Sequence, residues 1–149
     1  MTNTSDVVVG VDDSPASLEA LRVAASEASR RGTGLRAVHV WHFASTWGVP
    51  LNWPDGANPG EFVHQRLMDE VEQLQAARKE AGEPPVNVSV EVIEGDTEHA
   101  LRDAAKDAPV LVIGERRRHG PTAILGSVVA ALVTHPPCPV LIVPRSEQQ

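Results

Sequence analysis

Val7-Val8-Val9-Gly10-Val11 is an unbroken apolar run dominated by β-branched residues. A strand of this kind has no polar face to give to water, so it must be covered on both sides, as in a parallel sheet. The next residues along the chain fit that demand. Ser14-Pro15 reads as a helix N-cap followed by proline at the first helical position. Leu18, Leu21, Ala25 and Ala28 then recur at helical spacing, with Glu19, Arg22 and Glu27 between them, and Gly32 or Gly34 ends the helix.

The strand-then-helix unit repeats. Leu35 to Trp41 reads as a second strand, and a long connection runs from His42 to about Pro59. The next helix spans Glu61 to Ala81 and is stopped by Gly82 and Pro84-Pro85. From Val86 to Ile93 the valines at 86, 88, 90 and 92 alternate with Asn87, Ser89 and Glu91, the pattern of a half-exposed strand near a sheet edge. Asp96 caps a short helix to about Asp107, and Val110 to Ile113 is a further buried strand. Gly126-Ser127 opens a helix through about Thr134, and Pro139 to Val143 is the last strand. The pattern predicts one α/β domain over residues 1–149, with its core at about 6–145. Its architecture is an open parallel five-stranded sheet of order 3-2-1-4-5 with helices on both faces. That order reverses between the first and fourth strands, and a ligand in such a sheet sits at the reversal, beyond the carboxyl ends of the strands. The residues there are Gly10, Val11, Asp12 and Asp13, then Gly114, Glu115 and Arg116, flanked by Val40.

Charge and cysteine content remove several function classes. The formal net charge is −7, which argues against sequence-independent nucleic-acid binding and against docking on anionic membranes. The single cysteine, Cys138, allows neither an internal disulfide nor a cysteine-rich metal site. Residues 1–6 lack a basic region and an apolar region, and no apolar run is long enough to span a bilayer, so a cytoplasmic location is expected.

The segment after the fourth strand carries the most chemistry. It runs Gly114-Glu115-Arg116-Arg117-Arg118-His119-Gly120 and continues to Gly126-Ser127. Glycine admits a close backbone approach, a helix N-terminus favours an anion, Ser127 adds a hydroxyl, and the arginines add positive charge. The same residues also suit a solvated basic loop joining a strand to a helix. The lysine and spacing of a Walker A loop are missing.

Gly10-Val11-Asp12-Asp13-Ser14, Gly95-Asp96, Gly126-Ser127-Val128 and His135-Pro136-Pro137-Cys138-Pro139-Val140-Leu141-Ile142-Val143 occur in this order along the chain. Together they resemble the universal stress protein family. The resemblance implies a Rossmann-like fold, a homodimer formed through the last strand, and, in some members, ATP held by a G-x2-G-x9-G-[ST] motif. It implies that Asp12 holds the adenosine, that the Val40 backbone meets the adenine edge, and that Gly114, Gly126, Ser127 and Val128 line the phosphate path. This chain departs from the motif. Arg117 stands at the second glycine, and the stretch between Gly114 and Gly126 is one residue short. The expected function is therefore stress-response regulation with an adenine nucleotide, ATP, bound without rapid catalysis. Two alternatives stay open: a member that acts only through protein contacts, and a slow ATPase or adenylyl-transfer enzyme.

Other residues carry weaker readings. Asp12 and Asp13 could pair for acid–base work, but no histidine or serine nucleophile is placed beside them, so Asp12 is expected as a ligand contact and Asp13 as a capping or solvated residue. His39, His42 and His64 match no metal-ligand spacing. Trp41, Phe43, Trp47 and Trp53 suit a loop folded on the long helix, or a lid over the crevice. Cys138 is expected as a buried structural residue. Pro139 to Val143, apolar and without internal charge, is an edge that invites two-fold pairing.

Overall fold

The structure, a computed structural model, describes residues 5–12, 14–41, 59–115 and 126–144. Nine elements alternate along it. They are β1 (Val7–Val11), α1 (Pro15–Arg31), β2 (Leu35–Trp41), α2 (Pro59–Glu80), β3 (Val88–Glu94), α3 (Thr97–Ala104), β4 (Leu111–Gly114), α4 (Ser127–Thr134) and β5 (Val140–Val143). The strands form one parallel sheet of order β3-β2-β1-β4-β5, as the alternation predicts.

Strand alternation divides the core into two layers. Val7, Val9 and Val11 of β1 join Leu21, Ala24 and Ala28 of α1 and Leu67, Val71 and Leu74 of α2 on one face. Val8 joins Val38, Leu101 of α3, Leu111, Ile113, and Val129 and Leu132 of α4 on the other. Val7, Val8 and Val9 are wholly buried, which is why this strand carries no polar residue.

Local signals explain most boundaries. The Ser14 hydroxyl accepts from Ser17 N at 3.2 Å, and Pro15 opens α1. Gly32 ends it in the left-handed region at φ 68°, where a side chain would be strained. Ala16, Ala20, Ala24, Ala25 and Ala28 line the sheet-facing side and let α1 lie close to the strands. Leu18, expected in that stripe, is 40% exposed; the buried series runs through Ser17, Ala20, Leu21 and Ala24 instead. Arg36 joins three elements, donating to Glu91 of β3 at 2.8 Å and to the Ala104 carbonyl of α3 at 2.9 Å. Arg78 of α2 is buried and bridges to Glu83 at 2.8 Å and the Pro84 carbonyl at 3.1 Å, fastening the chain that leads into β3.

Several ends shift from expectation. The third strand begins at Val88, not Val86, because Pro84-Pro85 lack the N–H groups a ladder needs; Val86 is nonetheless buried and Asn87 O already accepts from Leu35 N at 2.8 Å. The helix after Asp96 stops at Ala104, and the chain turns at Asp107 with φ 67°. Cys138 is half-buried against the α3/α4 layer rather than fully enclosed, and desolvation pushes its thiol pKa up, away from the reactive thiolate. Among the described residues no helix is long and apolar enough to cross a membrane.

Candidate functional site

The β1–β4 register consists of Val8 opposite Leu111 and Val9 opposite Val112. Beyond these pairs the carboxyl ends of the two central strands border a cavity of about 700 Å³, a volume typical of small-molecule sites. Its floor is apolar: Val38 and Val40 of β2, Ile113 of β4 and Leu101 of α3. Gly10 lies between them, and a Cβ there would meet the Leu101 methyls at 3.1 and 3.2 Å. The rim is polar, with Asp12, Ser14 and Ser17 at the start of α1, Thr97 of α3, and Gly126 and Ser127 at the start of α4.

Of the residues singled out from sequence, Gly10, Asp12, Val40, Gly114, Gly126, Ser127 and Val128 line this single cavity. Arg116 and Arg117 lie outside the described residues, as do Arg118, Asp13, His42, Phe43, Trp47 and Trp53. Among the described residues no cluster of three or more histidine, cysteine or carboxylate side chains could hold a metal ion.

The two helix N-termini at the rim differ in what they offer. At α1 the first donors are occupied: Asp12 Oδ1 accepts from Ser14 N at 2.8 Å, and Ser14 Oγ accepts from Ser17 N. The Ser17 hydroxyl, buried, also bonds the Asp12 and Ser14 carbonyls, which holds the turn rigid. At α4 the N-cap is Gly126, which has no side chain with which to accept from the first-turn N–H groups. Its residues Ser127, Val128 and Val129 all border the cavity. An anionic group in this cavity is therefore best received at α4, where the helix dipole adds to first-turn N–H groups that no described side chain caps.

Gly114 has a different physical basis from the one its motif position suggests. A Cβ at Gly114 would lie 2.4 Å from the Ala16 carbonyl oxygen and 2.6 Å from its carbon. The missing side chain lets the first turn of α1 rest directly on the end of β4.

Topology puts Glu115 at the crevice, but no motif gives it a role. It is 7% exposed and lines the cavity. Its N–H donates to the Val143 carbonyl at 2.9 Å, so it extends the β4–β5 ladder by one residue. Ile113 belongs to the α3/α4 layer and Gly114 faces α1, so alternation turns Glu115 to the α3/α4 side, where the cavity lies. Among the described residues, the only charged groups in the lining are Asp12 and Glu115, both acidic. Ser17 carries no sequence signal either; serine three residues after a capping serine is a common helix-start composition, and nothing in its spacing marks it as buried.

Known proteins share both the sequence pattern and the fold. The profile of the universal stress protein family matches residues 4–144. A universal stress protein of Mycobacterium tuberculosis (strain H37Rv) is 36% identical over 142 residues, which cover 92% of this chain and 46% of that protein. The chain spans about half the length of the curated relatives it matches. A crystal structure of a universal stress protein in complex with cAMP superposes with a TM-score of 0.64 at 23% identity, covering 95% of this chain and 98% of that one. The universal stress protein from Archaeoglobus fulgidus in complex with dAMP superposes with a TM-score of 0.61 at 21% identity, covering 93% and 97%. These structures share the fold.

Proposed function

The chain belongs to the universal stress protein family, and from that premise we propose that it binds an adenine nucleotide at the switch-point cavity and serves as a stress-response regulator without rapid turnover. The observation that carries this reading is the pairing, across one cavity, of an apolar floor with a helix N-terminus that no described side chain caps. A purine needs the first and a phosphate the second. The complexes of relatives with cAMP and dAMP support it. In this arrangement the base rests near Val38 and Val40, Asp12 meets the ribose, and the phosphate reaches Ser127. No general base is positioned against a reacting phosphate by the described residues, and such positioning is what hydrolysis requires.

The test is direct. Freshly purified protein, denatured and filtered, releases an adenine nucleotide, or the apo protein gives a calorimetric signal with one. Steady ATP turnover stays below about one per second. A protein that carries no nucleotide and gives no heat with adenosine, AMP, cAMP or ATP would overturn the reading.

We also propose that two copies pair through β5. This strand has β4 on one side, and its other side is a sheet edge among the described residues. Val140 and Ile142 pack on the α3/α4 layer, while Leu141 remains 37% exposed. An apolar edge of this kind is satisfied by a two-fold partner. Light scattering across a size-exclusion peak is expected to give the mass of a dimer. Leu141→Lys is expected to weaken dimerisation about tenfold or more while leaving the far-ultraviolet spectrum intact. A monomer mass for the wild type at tens of micromolar would refute this.

A further inference from the structure

Helix α4, Ser127 to Thr134, has no charged residue of its own. Its last carbonyls carry a partial negative charge that favours a cation, and the helix supplies none. The neighbouring helix does. Arg102 of α3 donates through Nη1 to the His135 carbonyl, just past the end of α4, and through Nη2 to the Ala131 carbonyl at 3.4 Å. Glu98, one turn earlier on α3, accepts from Nη2 at 2.8 Å and holds the guanidinium in place. Both helices also border the cavity, α3 through Thr97 and Leu101 and α4 through Ser127, Val128 and Val129. Arg102 directly follows Leu101, so the stretch of α3 that floors the cavity also grips the far end of the helix facing it.

We infer that Arg102 is a positioning residue for the cavity: by gripping the C-terminal carbonyls of α4 it aims the N-terminus of that helix at the phosphate of a bound nucleotide. This rests on the adenine pocket proposed above and adds to it a residue outside the cavity lining. Eight helical residues form a rod about 12 Å long, so the direction of one end fixes the other. Val129 and Leu132 seat the rod on the sheet, but apolar contacts have no direction and let it swivel. The bonds from Arg102 are directional and act at the end opposite the cavity. With them gone, α4 swivels about its seat and its first turn spends less time on the phosphate. Affinity for a ligand that needs the aimed helix falls in proportion to the fraction so aimed. Adenosine has no phosphate and loses little.

The experiment measures affinities for adenosine and AMP by calorimetry in wild type, Arg102→Met and Arg102→Lys. The Arg102 side chain is 28% exposed, so Arg102→Met leaves no enclosed void and is expected to fold. Wild type is expected to bind AMP more tightly than adenosine. Arg102→Met is expected to narrow that ratio about fivefold or more, with adenosine affinity within about twofold of wild type. Arg102→Lys, which offers its cation to one carbonyl at a time, is expected to fall between the two. A purely structural role would lower stability and both affinities together and leave the ratio unchanged. Amide hydrogen exchange without ligand gives an independent reading: Arg102→Met is expected to speed exchange in α4 and leave α1 as in wild type. AMP no tighter than adenosine in wild type, an unchanged ratio in Arg102→Met, Arg102→Lys no better than Arg102→Met, or unchanged exchange in α4 would each overturn the inference. Failure of adenosine and AMP alike to bind the wild type would instead overturn the adenine pocket itself, and this role with it.

Discussion

Gly114→Ala is expected to destabilise the protein by about 3 kcal/mol, and to lower its melting temperature by roughly 6–12 °C. The new methyl carbon would sit 2.4 Å from the Ala16 carbonyl oxygen and 3.0 Å from Ser17 N. Both are backbone atoms, so no rotamer change can relieve the overlap. Relief requires moving the first turn of α1 away from β4. That movement would disturb the hydrogen bonds among Asp12, Ser14 and Ser17, including Ser14 N to Asp12 Oδ1 at 2.8 Å. Adenine-nucleotide affinity should therefore fall along with stability. Gly10→Ala is the comparison. Its nearest contacts are the Leu101 methyls at 3.1 and 3.2 Å, the far end of a side chain that can shift, and the expected cost is about 1 kcal/mol or less. Calorimetric melting of both variants checks the contrast. Equal melting temperatures for Gly114→Ala and wild type would show that α1 does not rest on β4 in this way.

Leu132→Ala is expected to cost about 3 kcal/mol, within the range for removing a fully buried leucine. The effect extends beyond the void left behind. An eight-residue helix such as α4 does not stand by itself in water. Among its residues, Val129 and Leu132 are buried and fix it to the sheet. Their packing is therefore what presents Gly126 and Ser127 to the cavity. Urea unfolding should show the lost stability, and titration with AMP should show weaker binding at concentrations where the variant remains folded. Val133→Ala, one position on but 40% exposed, should change stability by less than about 0.5 kcal/mol. Similar midpoints for the two variants would contradict this role for Leu132.

The sheet order and element types were legible in the residues because each strand carries its own burial signature. Val7 to Val11 demands two covered faces, while Val86 to Ile93 admits one, and this pair alone orients the sheet. Helix starts were legible where a capping side chain marks them, at Ser14 and Asp96, whose side chains accept from Ser17 N and His99 N. Ends were less so. Val86 is buried yet precedes the ladder, and Leu18 holds a helical interval but points outward. Spacing reports the period of a helix; which arc meets the sheet depends on how α1 is seated, and Gly114 decides that seating across nearly a hundred residues of chain. Gly10, Asp12, Val40, Gly114, Gly126, Ser127 and Val128 line one crevice because topology, not side-chain chemistry, brings them together. The role of Gly114 was not legible, since it arises from a contact between elements distant in sequence. The arginines at 116–118 lie outside the described residues.

The two layers of the core are unequal. One is built on helices of 17 and 22 residues, the other on two helices of 8. Opening free energy follows such differences, so α3 and α4 form the half that detaches at least cost. The cavity lies on the seam, with β1 and the start of α1 on the firm side and α4 on the yielding one. A small molecule seated there acts as a clasp between them. Through mass action its concentration then governs how often the weaker half opens, and the fold itself becomes a gauge of that concentration.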